Sequence, residues 1–314
     1  MSRSTVAGFT FVILSAFFFA VSGPIAKSLY AVGWSPGAVV LIRLIGSAVL
    51  LVIPTIVTLR GRWAEVREHW KLLVVYGVVA MAGMQGTYFV AVDHLSVAVA
   101  LLLQMMGAPL IIVFWLWART KRRPAAVTFV GVAVALIGVV LVLDLRGATL
   151  SMFGVVMALA SAACLAVYFF VSSSQSHAIP PIAFTGLGMW VGAATIGVAN
   201  LTQLMPGRYV VADADFAGAQ ISWAVPIALL VVGTVGAYVC GIIGLRYIGA
   251  TVGSFLNLVE VPFSAVAAWL IVSEELSAMQ IVGGVVILLG TVFVKRGDVR
   301  SPHEAAGLPA AERT

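Results

Sequence analysis

The chain has 314 residues, 62% of them hydrophobic and 10% charged, with a formal net charge of +6. Soluble domains are about 45–50% apolar and about 25% charged, so this composition excludes a soluble protein of one or two domains and points to a bilayer. The basic balance does not indicate nucleic acid, because the cations fall in short loops between apolar runs rather than on a polar face.

A spanning helix takes about 20 mostly apolar residues. Taken in chain order, the sequence predicts spans near 6–27, 36–59, 71–92, 96–117 and 125–143. A second set follows near 151–173, 182–205, 222–245, 249–272 and 278–294. The first run has signal-peptide features, with Arg3 ahead of it and the small residues Ala20-Val21-Ser22 inside it. It continues through Pro24 to Ala26, long enough for a full crossing, and is read as a span. Connections stay below about 17 residues, which leaves no room for an extramembrane domain. The polar segment Lys295–Thr314, with Pro302 and Pro309, reads as a disordered cytoplasmic tail.

Ten spans and an inner N-terminus place most cations on one side. The inner segments then hold Arg3; Arg60, Arg62, Arg67 and Lys71; Arg119, Lys121, Arg122 and Arg123; Arg246; and Lys295, Arg296, Arg300 and Arg313. The outer side holds Lys27, Arg146 and Arg208. Both termini are therefore expected in the cytoplasm, on a multi-pass protein of the cell membrane.

Offsetting the sequence by 153 residues lays the fourth and fifth spans on the ninth and tenth. Pro109 then matches Pro262, Gln104 matches Asn257, Gly131 matches Gly284 and Ala125 matches Ala278. The turn after span four is basic (Arg119 to Arg123), whereas its counterpart after span nine is acidic (Glu274, Glu275). Five spans per half put those turns on opposite faces, as inverted repeats require. The expected architecture is an all-α membrane protein of two inverted five-helix repeats, 1–146 and 147–296, with a tail at 297–314.

Ionisable and amide residues at membrane depth are costly and face cavities or one another. Glu260 stands out. About eleven residues into span nine, it lies roughly 16 Å deep at 1.5 Å per residue. Gly253, Asn257, Glu260 and Ser264 follow a 4-3-4 spacing that lines one helix face. A carboxyl there can bind a substrate amine or a coupling proton; alternatively, hydroxyls and backbone satisfy it. Gln85 and Gln104 can contact substrate or bridge helices. Tyr88, Tyr168 and Tyr238 can wall a cavity or pack in interfacial belts. Arg43 and Lys27, one to two turns from the outer face, either snorkel or form a positive mouth for a carboxylate, and Asp93 can neutralise one of them. Pro24, Pro109 and Pro262 interrupt backbone bonding inside spans.

The chain lacks the Gly-x-x-x-x-Gly-Lys-Ser/Thr phosphate loop, and His303-Glu304 has no second histidine to make His-Glu-x-x-His. Four scattered histidines and two cysteines, Cys164 and Cys240, form no ligand set. No enzyme activity, metal or cofactor is expected.

Several stretches carry a family resemblance. In the first half they are Gly23-Pro24-Ile25-Ala26-Lys27 with Arg43 downstream, Gly83-Met84-Gln85, and Val97-Ala98-Val99-Ala100-Leu101 running to Pro109. In the second they are Glu260-Val261-Pro262, Ser273-Glu274-Glu275-Leu276, Gln280 and Gly283-Gly284. With ten spans, the chain resembles EamA-type members of the drug/metabolite transporter superfamily, and among them the threonine and homoserine exporters. The resemblance implies a secondary transporter exporting a small polar metabolite such as an amino acid, by alternating access of the two halves. Basic residues replace the family's acidic turn in the first half, and span four lacks its acidic residue. The readings weighed beside it are proton-coupled efflux of drug-like cations through Glu260 and a non-transport assembly or sensor subunit. The expected partners are a small-molecule substrate, the lipid bilayer and a coupling proton, without nucleic acid.

Overall fold

A computed structural model describes residues 3–121, 125–142, 151–174, 179–256 and 259–305. The described chain is helical apart from one short hairpin. Its residues form two compact units, one drawn from Met1–Gln104 and Ser151–Glu275, the other from Met105–Leu150 and Leu276–Thr314.

The first unit opens with α1 (Arg3–Ala20) and α2 (Ser22–Ala31). The two make one apolar stretch, Val6–Ala31, with a break at Val21. Pro24 accounts for the break, since it has no N–H to give to Ala20 and its ring crowds that carbonyl. The helices α3 (Pro36–Leu50) and α4 (Val52–Thr58) meet at 46°. Pro54 has the same effect on Leu50 there, a kink absent from the prolines singled out by position in the sequence. Ser35 starts α3 by accepting from Ala38 N, with Pro36 in the first turn, where a missing N–H costs nothing.

Two short helices, α5 (Trp63–Glu68) and α6 (Trp70–Val75), lead through a π-helical stretch, Tyr76–Gly83, into α7 (Met84–His94). Trp70–His94 is thus one 25-residue apolar helix with a widened middle. After a two-residue turn α8 (Val97–Thr120) begins, its residues up to Gln104 in this unit and those from Met105 in the second. The first unit also takes in α10 (Met152–Ser174), α11 (Pro181–Leu201), α12 (Ala224–Leu256) and α13 (Glu260–Val272). Between α11 and α12 an antiparallel hairpin pairs β1 (Ala214–Phe216) with β2 (Ala219–Ile221) through Ala217 and Gly218, both at positive φ. This connection carries no alternating apolar pattern and reads as a plain loop in sequence.

The helix α12 differs from expectation. It runs 33 residues without the turn expected near 246–248, because nothing between Arg246 and Gly249 interrupts a helix. Residues 257–258 lie outside the described residues, and Glu260 opens α13. Pro262 suits that position, since the first turn of a helix needs no N–H from it.

In the second unit α9 (Ala126–Val142) packs on α14 (Ala278–Ala305). A Cβ on Gly131 would lie 2.6 Å from Val294 N, one on Gly138 2.7 Å from Ile287 N, and one on Gly290 2.5 Å from Ala135 N. Backbone lies against backbone here, the contact that small residues permit where hydrophobicity cannot drive helices together. Gly290→Val is expected to lower stability by about 1–3 kcal/mol or more, read as earlier thermal unfolding in detergent. The helix α14 continues to Ala305, into the segment expected to be disordered; 306–314 lie outside the described residues.

By length and composition, four helical stretches among the described residues can cross a bilayer: Val6–Ala31, Trp70–His94, Pro181–Leu201 and Ala224–Gly244. The bent pair α3–α4 makes a fifth, and five shorter apolar helices of 10–17 residues accompany them.

Candidate functional site

The charged centre of the first unit is built on α3, α7, α12 and α13. Arg43, on α3, is 4% exposed. Its Nε donates to Thr234 Oγ1 at 2.5 Å, and that hydroxyl donates to Leu230 O at 2.6 Å. The second bond spends the threonine proton within its own helix, so the oxygen faces Arg43 as an acceptor. The guanidinium also lies over the Phe89 ring, 4.9 Å from its centroid, a favourable placement for a buried cation. Arg43 is thus buried inside the protein and does not snorkel.

Electrostatic interactions connect Arg43 with Glu260, Tyr88, Tyr238 and Tyr30. Glu260, at the start of α13, is 5% exposed and interacts with both Tyr88 and Tyr238. Four of the site residues expected from sequence, on four different helices, therefore form one buried cluster of a cation, a carboxyl and two phenols. Close packing brings Tyr88 in. A Cβ on Gly23 of α2 would lie 3.0 Å from its hydroxyl and 2.5 Å from Val97 Cγ1, so any larger residue at 23 would displace the phenol.

Tyr238 stacks edge-on against Phe19 at 5.2 Å and donates to Met81 Sδ at 3.7 Å. Gln85 donates to the same sulfur from Nε2 at 3.9 Å. Tyr168 lies beside Tyr76, ring centroids 5.8 Å apart, and interacts with Tyr238. Gln104 is engaged elsewhere: its Nε2 donates to Ser161 Oγ at 2.6 Å, which donates to Met84 O at 2.8 Å. That chain ties α8, α10 and α7 together. Asn257 lies outside the described residues. Ser264, fully buried, has no hydrogen-bond partner for its hydroxyl among the described residues.

Thr234, Phe89 and Met81 were not expected from sequence. Thr234 had a signal, since it stands four residues before Tyr238 and so on the same helix face. Phe89 and Met81 look like ordinary packing residues until their neighbours are known.

Lys27 pairs with Glu274, Nζ to Oε2 2.6 Å, and also donates to Leu95 O at 3.0 Å. The other carboxylate oxygen of Glu274 accepts from Val97 N at 2.9 Å, the first residue of α8. Asp93, exposed, is not the partner of Lys27. One side chain thus neutralises a cation and caps a helix start, where a negative group is favoured. Glu274→Ala is expected to cost about 1–2 kcal/mol and Glu274→Gln less, because the amide oxygen still accepts from Val97 N. Thermal unfolding of both variants in detergent checks the order.

No group of three or more His, Cys, Asp or Glu side chains is placed to hold a metal ion among the described residues.

The EamA-like transporter family model matches the chain twice, over residues 6–144 and 152–296. A relative in Bacillus subtilis (strain 168), named the uncharacterized transporter YwfM, is 26% identical over 298 residues, covering 90% of this chain and 92% of its own. A solved structure described only as the crystal structure of a protein matches with a TM-score of 0.59 at 19% identity, over 96% of this chain and 99% of that one. That likeness bears on the fold alone. The two family matches make the chain a duplicated, multi-pass membrane transporter, not an enzyme, and set aside the reading as a non-transport subunit. By these two matches, which together span nearly its whole length, the chain belongs to the EamA-like transporter family.

Proposed function

We propose that this transporter exports a small zwitterionic metabolite of the amino acid type, by alternating access of two inverted five-helix halves. In this reading ten helices cross the cell membrane, both termini are cytoplasmic, and the halves are 1–146 and 147–296. The observation that carries the proposal is the burial of Arg43 and Glu260 in one cluster. Of the five N–H donors of a guanidinium, only Nε–H of Arg43 is engaged by a described residue. The terminal fork is left to clasp a carboxylate, a geometry that arginine provides and lysine does not. Glu260 receives the ammonium or, between substrates, a coupling proton, and Tyr88 and Tyr238 offer hydroxyls to either group.

The cluster argues against efflux of bare organic cations. Such a ligand would gain from Glu260 but be repelled by Arg43 at the same site, in an interior where charges interact strongly. A zwitterion satisfies both. Cells overproducing the chain are expected to survive toxic amino acid analogues and to gain no protection from cationic dyes. Protection from the dyes alone would select the cation reading. An export type selective for threonine and homoserine is the narrower form of the proposal, and those two amino acids belong on the same panel.

A further inference from the structure

Two sets of contacts join the halves 1–146 and 147–296 around the end of α2, and they differ in kind. The first is a dense backbone junction. Ser35 N donates to Arg208 O at 3.2 Å, and Ser35 Oγ donates to Pro206 O at 2.6 Å and accepts from Arg208 N at 2.8 Å. Trp34 Nε1 donates to Val210 O at 2.6 Å, and its ring packs against Tyr209 and Trp223. A Cβ on Gly37 would lie 2.6 Å from Met205 O, so the two segments touch. The second set is made by side chains. Glu274 stands on the turn after α13, where Ser273 has a positive φ, and reaches Lys27 of α2 and Val97 N of α8. The side chains of Lys27 and Glu274 are 28% and 13% exposed, so water can replace each for the other, and a pair so placed holds little energy. Tyr88 of the buried cluster interacts with Glu274 as well as with Glu260. Gly23, one turn before Lys27, packs on both Tyr88 and Val97, so the ion pair adjoins the cluster.

We infer that Lys27 and Glu274 form a releasable latch beside the buried cluster, and that the junction of Trp34 and Ser35 with 206–210 is the pivot about which this end opens. This rests on the halves moving by alternating access, as proposed above, and is independent of what they carry. Segments joined backbone to backbone in close contact turn as one body, whereas a partly hydrated ion pair parts at little cost. On opening, Lys27 and Glu274 pass to water, and Val97, 0% exposed while the latch is shut, loses its cover. The junction at Ser35 stays closed throughout.

The test uses the full chain in proteoliposomes, with Cys164→Ala and Cys240→Ala as background. Val97→Cys reads opening without any substrate, through its rate of reaction with a water-soluble maleimide. That rate should rise about two- to fivefold when Lys27→Met or Glu274→Gln is added. The glutamine still caps α8, so a purely structural role for Glu274 would leave the rate as it was. Rates unchanged in both variants overturn the latch. The pairs Lys27→Cys/Glu274→Cys and Ser35→Cys/Arg208→Cys are then each joined by a short reducible crosslinker, and amino acid exchange is followed. Joining the first pair should cut exchange to about a tenth or less, restored on reduction, and joining the second should leave it within about twofold. Exchange that continues with the first pair joined overturns the latch, and exchange lost with the second pair joined overturns the pivot. If the unjoined proteins exchange no amino acid while the maleimide rates rise as expected, the substrate reading is overturned and the latch stands.

Discussion

Under the function proposed above, Glu260→Gln is expected to lower transport of the amino acid at least about tenfold and to remove the pH dependence that a coupling proton gives it. The amide keeps the volume of the side chain and its capacity to accept, but cannot carry a charge. Two effects add. A ligand ammonium loses a charge-assisted bond, roughly twice as strong as a neutral one, and Arg43, 4% exposed, loses a nearby negative charge. Breaking one side of a buried charge arrangement commonly costs about 3–5 kcal/mol, so thermal stability should fall as well. Tyr88 and Tyr238, which also interact with Glu260, are neutral phenols and do not replace the charge. Proteoliposomes preloaded with amino acid, with pH varied on one side, supply the measurement. Glu260→Asp should retain the pH dependence at a reduced rate. A Glu260→Gln protein with the original pH profile would remove the residue from the mechanism.

Arg43→Leu should abolish binding of zwitterionic substrates and destabilise the chain further than any surface change. It removes the Nε bond to Thr234 and the charge over Phe89, and takes a positive charge from the electrostatic surroundings of Glu260. Arg43→Lys separates these losses. It keeps the charge but not the planar fork, so the fold should recover while transport stays at or below about a tenth of the original. The double variant Arg43→Leu/Glu260→Leu goes further, because replacing both of two interacting buried charges by apolar groups is often neutral or stabilising. It should unfold at a higher temperature than either single variant and still fail to transport. A substrate-induced shift in unfolding temperature, recorded for all four proteins, reads stability and binding together. Binding retained by Arg43→Leu would leave the proposed carboxylate clasp without support.

The relation of sequence to site differs from residue to residue. Arg43, Gln85, Tyr88, Tyr238 and Glu260 stand out because polar groups in apolar helices are few, and the cost of burying them limits where each is kept. Their roles are less readable. Gln104 and Gln85 look alike in sequence, yet one finds Ser161 and the other a thioether, according to which helix lies alongside. Lys27 and Arg43 look like paired outer cations, but Lys27 meets Glu274 from a turn about 250 residues away in the chain, while Arg43 turns inward to Thr234 of α12.

Composition by itself determined that the chain is membrane-embedded, and apolar run length together with loop charge set the expected order of its helices, since both depend on local transfer energies. Helix breaks were half determined: Pro24 acts as its chemistry demands, but Pro54 bends α3–α4 and Pro262 opens α13 instead of kinking it. Only the tertiary structure decided that Arg43, Glu260, Tyr88 and Tyr238 share one buried cluster. Four helices carry those side chains, and their meeting depends on close approaches such as Gly23 against Tyr88 and Val97. Such contacts arise from packing between distant segments, for which no local pattern in the sequence stands.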